Sequence, residues 1–128
     1  MMSDDDNDLP PPATREEFLT LLWTEIINGT MTGEWIDYEV THSEKGPTEP
    51  FADTGPLVKR LLASGASRRD LCLLARSVSY SAVFRLLYLL NDPGIGPADL
   101  EGIYEGLLEA DPSGHEGRPG SAPKDPFN

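Results

Sequence analysis

The stretch GEWIDYEVTHSE gathers Asp37, Glu39, His42 and Glu44, the densest grouping in the chain of side chains that exchange protons or bind metals. A histidine beside a carboxylate is the makings of a general acid–base pair. Imidazole nitrogen with carboxylate oxygens is also a zinc ligand set. The spacing favours neither chemistry. In an extended segment Asp37 and Glu39 share a face; in a helix Tyr38 and His42 share one, as do Asp37 and Thr41. No recognised ligand spacing results, so no catalytic residue, metal or cofactor is assigned. With Glu34, Trp35 and Tyr38 the group reads instead as a protein-contact patch: acidic side chains for steering, two aromatics for anchoring.

Two arginines present the second chemical question. Arg76 and Arg85 interrupt the apolar run LCLLARSVSYSAVFRLLYLL at 71–90. Nine residues apart, they project from opposite sides of a helix, Arg76 near Val83 and Leu87, Arg85 near Leu74 and Val78. Inside a core each must reach a carboxylate, backbone carbonyls or, by extending its stem, solvent. Both are therefore read as buried structural arginines. The alternative is that one lines a pocket and holds an acidic ligand group, with Asp37, Glu39 and His42 around it, making a small enzyme or ligand-binding domain.

Other motifs carry less. Cys72 has no histidine near it in sequence and reads as a small buried side chain. GIGPADLEG contains a G-x-G, but no strand precedes it, as phosphate binding would require. His115 stands among Gly, Ser and Pro and is given no role.

The elements that position these groups follow from hydrophobic period and end signals. Thr14 with Glu17 makes a capping box, and Phe18, Leu22 and Ile26, widened by Leu19 and Trp23, form the apolar stripe of a first helix that NGT at 28–30 should end. Residues 31–52 are ambiguous. Ile36, Tyr38 and Val40 alternate like a strand, but a strand there has nothing to pair with, so helix is preferred. A second helix starts near DTGP at 53–56 with Leu57, Leu61 and Leu62 as its apolar face, and Gly65 stops it. Ser67 and Asp70 repeat the capping logic for a third, running to about Leu90. A fourth follows GIGP at 94–97, with Leu100, Ile103, Tyr104, Leu107 and Leu108 in helical period.

On a helical wheel the 71–90 run is apolar nearly all round. Leu71, Leu74, Ala75, Val78, Ala82, Leu86 and Leu89 lie on one side; Leu73, Tyr80, Phe84 and Leu87 lie opposite. Such a helix is a central core helix or a membrane span. Leu, Val and Phe gain about 0.3–0.6 kcal/mol each on insertion, whereas an arginine near mid-membrane costs about 2.5–3.5 kcal/mol. Two arginines, three serines and two tyrosines offset the gain, which favours the core helix.

Composition bounds the rest. The chain has 128 residues, enough for one domain, and a net charge of −12. That charge is uneven: −11 over 1–55, +5 over 56–90 and −6 over 91–128. The overall field repels nucleic acid and anionic lipid. Residues 1–13, acidic and then proline-rich, and 111–128, rich in Pro and Gly, read as disordered tails. No basic and apolar leader opens the chain, and a single cysteine forms no internal disulfide; both favour a cytoplasmic protein.

The expectation is thus an all-α domain over 14–110, a bundle of four to five helices around a buried helix at 67–90. Its expected function is that of a small acidic interaction module, a regulator or toxin-neutralising (immunity-type) protein with a basic protein partner. A homodimer hiding one face of the long helix is a further arrangement.

Overall fold

The computed structural model describes residues 14–91 and 101–123, and among these every regular element is helical. Helix α1 spans Arg15–Leu21 and opens on the expected capping box: Thr14 Oγ1 accepts from the Glu17 amide at 3.1 Å, and the Thr14 amide donates to Glu17 Oε1 at 2.9 Å. The chain continues as a π turn, Leu22–Ile27, and a 3-10 turn, Asn28–Thr32, before Gly33 turns it at φ 79°. The helical path therefore ends at Gly33, not at the NGT of 28–30. Its buried stripe is Leu19, Trp23, Ile27 and Met31, with Phe18 and Leu22 half-buried and Ile26 exposed. Four-residue steps drift on a 3.6-residue helix; the wider π turn absorbs the drift and keeps these side chains inward.

Helix α2 (Glu34–Ser43) resolves the ambiguous stretch as helix, with Ile36 buried and Tyr38 outward. Turns lead to α3 (Thr54–Ala63), whose Asp53 cap makes no side-chain bond. The face of α3 is rotated from expectation. Val58 is buried and Leu62 half-buried, whereas Leu57 and Leu61 are exposed. The cause is Gly55, which sits against Ser43 and the Glu39 carbonyl and sets the roll of α3 on α2.

Helix α4 (Arg68–Asn91) is the longest element, and the Asp70 amide donates to Ser67 Oγ at its start. Two apolar clusters lie along it. Met31, Ile36, Val58, Leu71 and Cys72 surround its first half; Leu19, Trp23, Ile27, Val83, Leu87, Ile103 and Leu107 surround its second. The all-α bundle holds. The expected burial of this helix on two sides does not: Leu74, Val78, Ala82, Leu86 and Leu89 face outward. The described segments number too few to wrap a rod of about 36 Å, so only one side is covered.

The start of the expected fourth helix, at 94–97, lies outside the described residues. Within them its place is taken by 3-10 turns at Ile103–Gly106 and Leu108–Ala110. Gly102, at φ 71°, breaks any continuous α path there. Ile103 and Leu107 still reach the core, but Leu108 is exposed. The domain also passes residue 110. Residues 111–123, expected to be tail, are turns with Asp111 and Ser121 buried. The tail stretches 1–13 and 124–128 lie outside the described residues.

Replacing Gly55 with alanine places a methyl group within 2.8 Å of Ser43 Cβ and 2.7 Å of the Glu39 carbonyl oxygen. Overpacking of this kind costs about 1–3 kcal/mol. Gly55→Ala is expected to lower the denaturation midpoint accordingly, with helical content by circular dichroism unchanged below the transition.

Candidate functional site

The buried guanidinium of Arg76 lies between the two apolar clusters and is 9 % exposed. Its Nε donates to Asn28 Oδ1 at 2.8 Å and its Nη2 to Ser121 Oγ at 3.0 Å. The guanidinium carbon lies 5.5 Å from the Trp23 ring centroid, a cation–π distance. Trp23 in turn donates its indole N–H to the Leu107 carbonyl at 2.7 Å. Burial lowers the Arg76 pKa, and the charge of Asp111 acts against that. For Asp111, burial works against ionisation. The amides of Gly117 and Ser113, the Ser113 hydroxyl and the Arg76 charge outweigh it, so its carboxyl sits below the ordinary carboxylate range.

Arg76 lines a cleft of about 190 Å³ together with Trp23, Ile27, Leu73, Tyr80 and Leu108, rimmed by Ser77 and Glu116. The cleft has mostly apolar walls, with the cation of Arg76 and, at the rim, the carboxylate of Glu116. None of Asp37, Glu39 and His42 lines it. Sequence spacing showed that Arg76 needs partners, but not that they are an amide and a hydroxyl from positions 48 residues before and 45 after it. Arg85 is exposed on the outer side of α4, beside Phe84, Tyr88 and Leu89, which corrects its expected burial. Its side of the helix is the side left uncovered.

The acidic patch occupies α2 and the turn after it. Asp37 accepts from Arg68 Nη1 at 3.4 Å and Nη2 at 3.1 Å, a two-pronged pair that ties α2 to the start of α4. Exposed as it is, such a pair contributes about 0–1 kcal/mol. Glu44 lies 3.9 Å from Lys59 of α3. Trp35 is half-buried and donates its indole N–H to the Thr30 carbonyl at 3.0 Å, so it serves the fold more than the surface. Tyr38 is 62 % exposed and stacks on His42 at 5.5 Å between centroids. His42 Nε2 lies 3.1 Å from the Pro50 carbonyl, which holds the turn after α2 against the helix. Glu34 is exposed and Glu39 half-buried beneath α3. Among the described residues no three His, Cys, Asp or Glu side chains converge as a metal site.

The feature that sequence reading missed is the outer ridge of α4. Leu74 is 62 % exposed, Val78 60 %, Leu86 58 % and Leu89 55 %. The wheel had already grouped these side chains, yet a face grouped by period carries no sign of whether anything covers it. By length and a mean hydropathy of 1.3 this helix is also one that could cross a membrane, with 17 % of that window buried. No protein-family model, curated protein or solved structure matches this chain.

Two measurements follow from the Arg76 node. Arg76→Met leaves Asn28 and Ser121 without their buried charged donor, a loss of about 1.5–3 kcal/mol per bond to a charged group. It should unfold at lower denaturant, with Trp23 fluorescence reporting the change. Because the folded pKa of Asp111 is depressed, its stabilisation is complete above the unfolded value of about 3.9 and disappears as pH falls through the folded one. Asp111→Asn is expected to flatten the loss of stability between neutral and strongly acidic pH; a slope equal to wild type would remove Asp111 from the acid transition.

Proposed function

We propose that this chain is a small acidic protein–protein interaction module, acting in the cytoplasm as a regulator or toxin-neutralising protein, with the outer ridge of α4 as its docking surface. One observation carries the reading: four large aliphatic side chains, each more than half exposed, form one stripe on the longest helix. Monomers rarely keep a contiguous apolar patch of more than a few hundred Å² in water. Arg85 stands in the middle of the stripe, where insertion into lipid would cost about 2.5–3.5 kcal/mol but a protein partner can supply an acceptor. The net charge of −12 steers a basic partner toward the molecule, and exposed Glu34 with Tyr38 on the α2 side is the surface such a partner would meet.

The test compares wild type with a Leu74→Ser/Leu86→Ser double variant by size-exclusion chromatography, both as pure chains and in cell extract. Both sites are exposed, so the variant should keep its circular dichroism and melting temperature. Wild type is expected to elute above the 14.0 kDa of one chain and the variant at it. Wild type running as a single chain under both conditions would defeat the proposal.

A second reading rests on the Arg76 cleft, whose cation in an apolar-walled space suits a small carboxylate carrying a short hydrophobic body. Titration with benzoate should shift the Trp23 indole resonance, and benzamide, of the same shape without the charge, should not. Equal response to both, or to neither, would dismiss it.

A further inference from the structure

We infer that the occupant of the α4 ridge is a second copy of this chain, packed antiparallel across a two-fold axis at Ala82. The inference rests on reading the ridge as a docking surface and gives that ridge a self-partner, which leaves the acidic α2 side for a basic partner. The ridge is close to self-complementary under reversal. Val78 and Leu86 each lie four residues from Ala82, and Leu74 and Leu89 lie eight and seven residues from it. Reversing one helix against the other therefore sets Val78 on the partner's Leu86 and Ala82 on itself, and brings Leu74 within one residue of the partner's Leu89. A two-fold interface demands this property, because the same patch must serve both copies. The alanine at the midpoint lets the axes approach to the short end of the 8–10 Å range for packed helices.

The charged and polar residues fit the same register. Antiparallel helices bring like flanks together, so exposed Arg85 falls level with the partner's Ser79 and within two residues of the partner's exposed Ser81, hydroxyls within reach of its N–H groups. Segment 56–90, which contains the ridge, carries +5 within an otherwise acidic chain, so carboxylates are sparse where the copies would meet. The stripe from Leu74 to Leu89 runs about 22 Å. Two such faces bury on the order of 1,000 Å² in all, the lower bound of a specific interface and that of a weak, reversible dimer. The −12 charge of each copy opposes association at long range, and salt screens that repulsion.

Sedimentation velocity of the pure full-length chain tests this. The expected result is a concentration-dependent monomer–dimer equilibrium that tightens about threefold or more between low and physiological salt, as repulsion is screened. Ala82→Arg, at an exposed position, should give a folded monomer. Ala82→Cys should form a disulfide-linked dimer on mild oxidation far faster than Phe51→Cys, which is exposed on the turn before α3. A pure chain that stays monomeric at all concentrations and salts, with the two cysteine variants linking equally slowly, overturns the dimer. If that same chain still enters complexes in extract that the Leu74→Ser/Leu86→Ser variant does not, only the dimer fails. Sedimentation with neutral phosphatidylcholine vesicles in place of dimerisation overturns both the dimer and the docking reading.

Discussion

The cost of burying one charge organises this fold. Arg76 emerges from the covered side of α4 into the gap between two apolar clusters, where an unsatisfied guanidinium would be strongly destabilising. Its needs are met from both sides in sequence. Asn28, at the junction of the π and 3-10 turns, accepts a hydrogen bond from Nε, and Ser121, near the end of the described chain, accepts one from Nη2. Trp23 gives its ring face, and Asp111 supplies a negative charge nearby. Because the acceptors come from remote segments, satisfying the arginine brings α1, α4 and the 111–123 turns together. The polar node is directional, whereas the clusters on either side are not. It therefore fixes how the two halves register along α4.

The two clusters are held differently. Around the second half of α4, aromatic packing dominates: Phe84 and Tyr88 meet Tyr104 edge-on at 5.6 and 5.1 Å, and Asn91 accepts from the Gly102 amide, closing the end of the helix. Around the first half, backbone proximity dominates. Gly55 lets α3 lie against α2, and Arg68 bridges to Asp37 and to the Gly33 carbonyl, so three helices share one corner. The acidic residues of α2 are thereby divided. Asp37, and Glu44 just past the helix end, have basic neighbours in the fold, while Glu34 remains exposed at the surface with the aromatic Tyr38 nearby.

One helix, apolar on two sides, thus receives two treatments. The side bearing Cys72, Arg76, Val83 and Leu87 is core, and the side bearing Leu74, Val78 and Leu89 is surface. Beyond the first turn each side also has one arginine, and their fates follow the cover. Arg76 is enclosed and bonded to Asn28 and Ser121; Arg85 stands in the open among aliphatic side chains. A stripe of this kind is the feature of the molecule that its own described residues leave uncompensated, which is why the functional reading begins there.

The helical class, the capping box at Thr14, the Ser67 cap of α4, and the outer grouping of Leu74, Val78, Leu86 and Leu89 were legible in the sequence. They depend on residues three or four apart, and local backbone geometry is the same wherever the helix lies. Only tertiary structure decided which face is covered, that the stripe of α1 shifts to Leu19, Trp23 and Ile27, that α3 rolls about Gly55, and that Pro- and Gly-rich residues 111–123 fold back to Arg76. Those outcomes hang on contacts between residues tens of positions apart. A periodic pattern states which side chains share a face; the number and reach of the other segments determine whether anything lies against it.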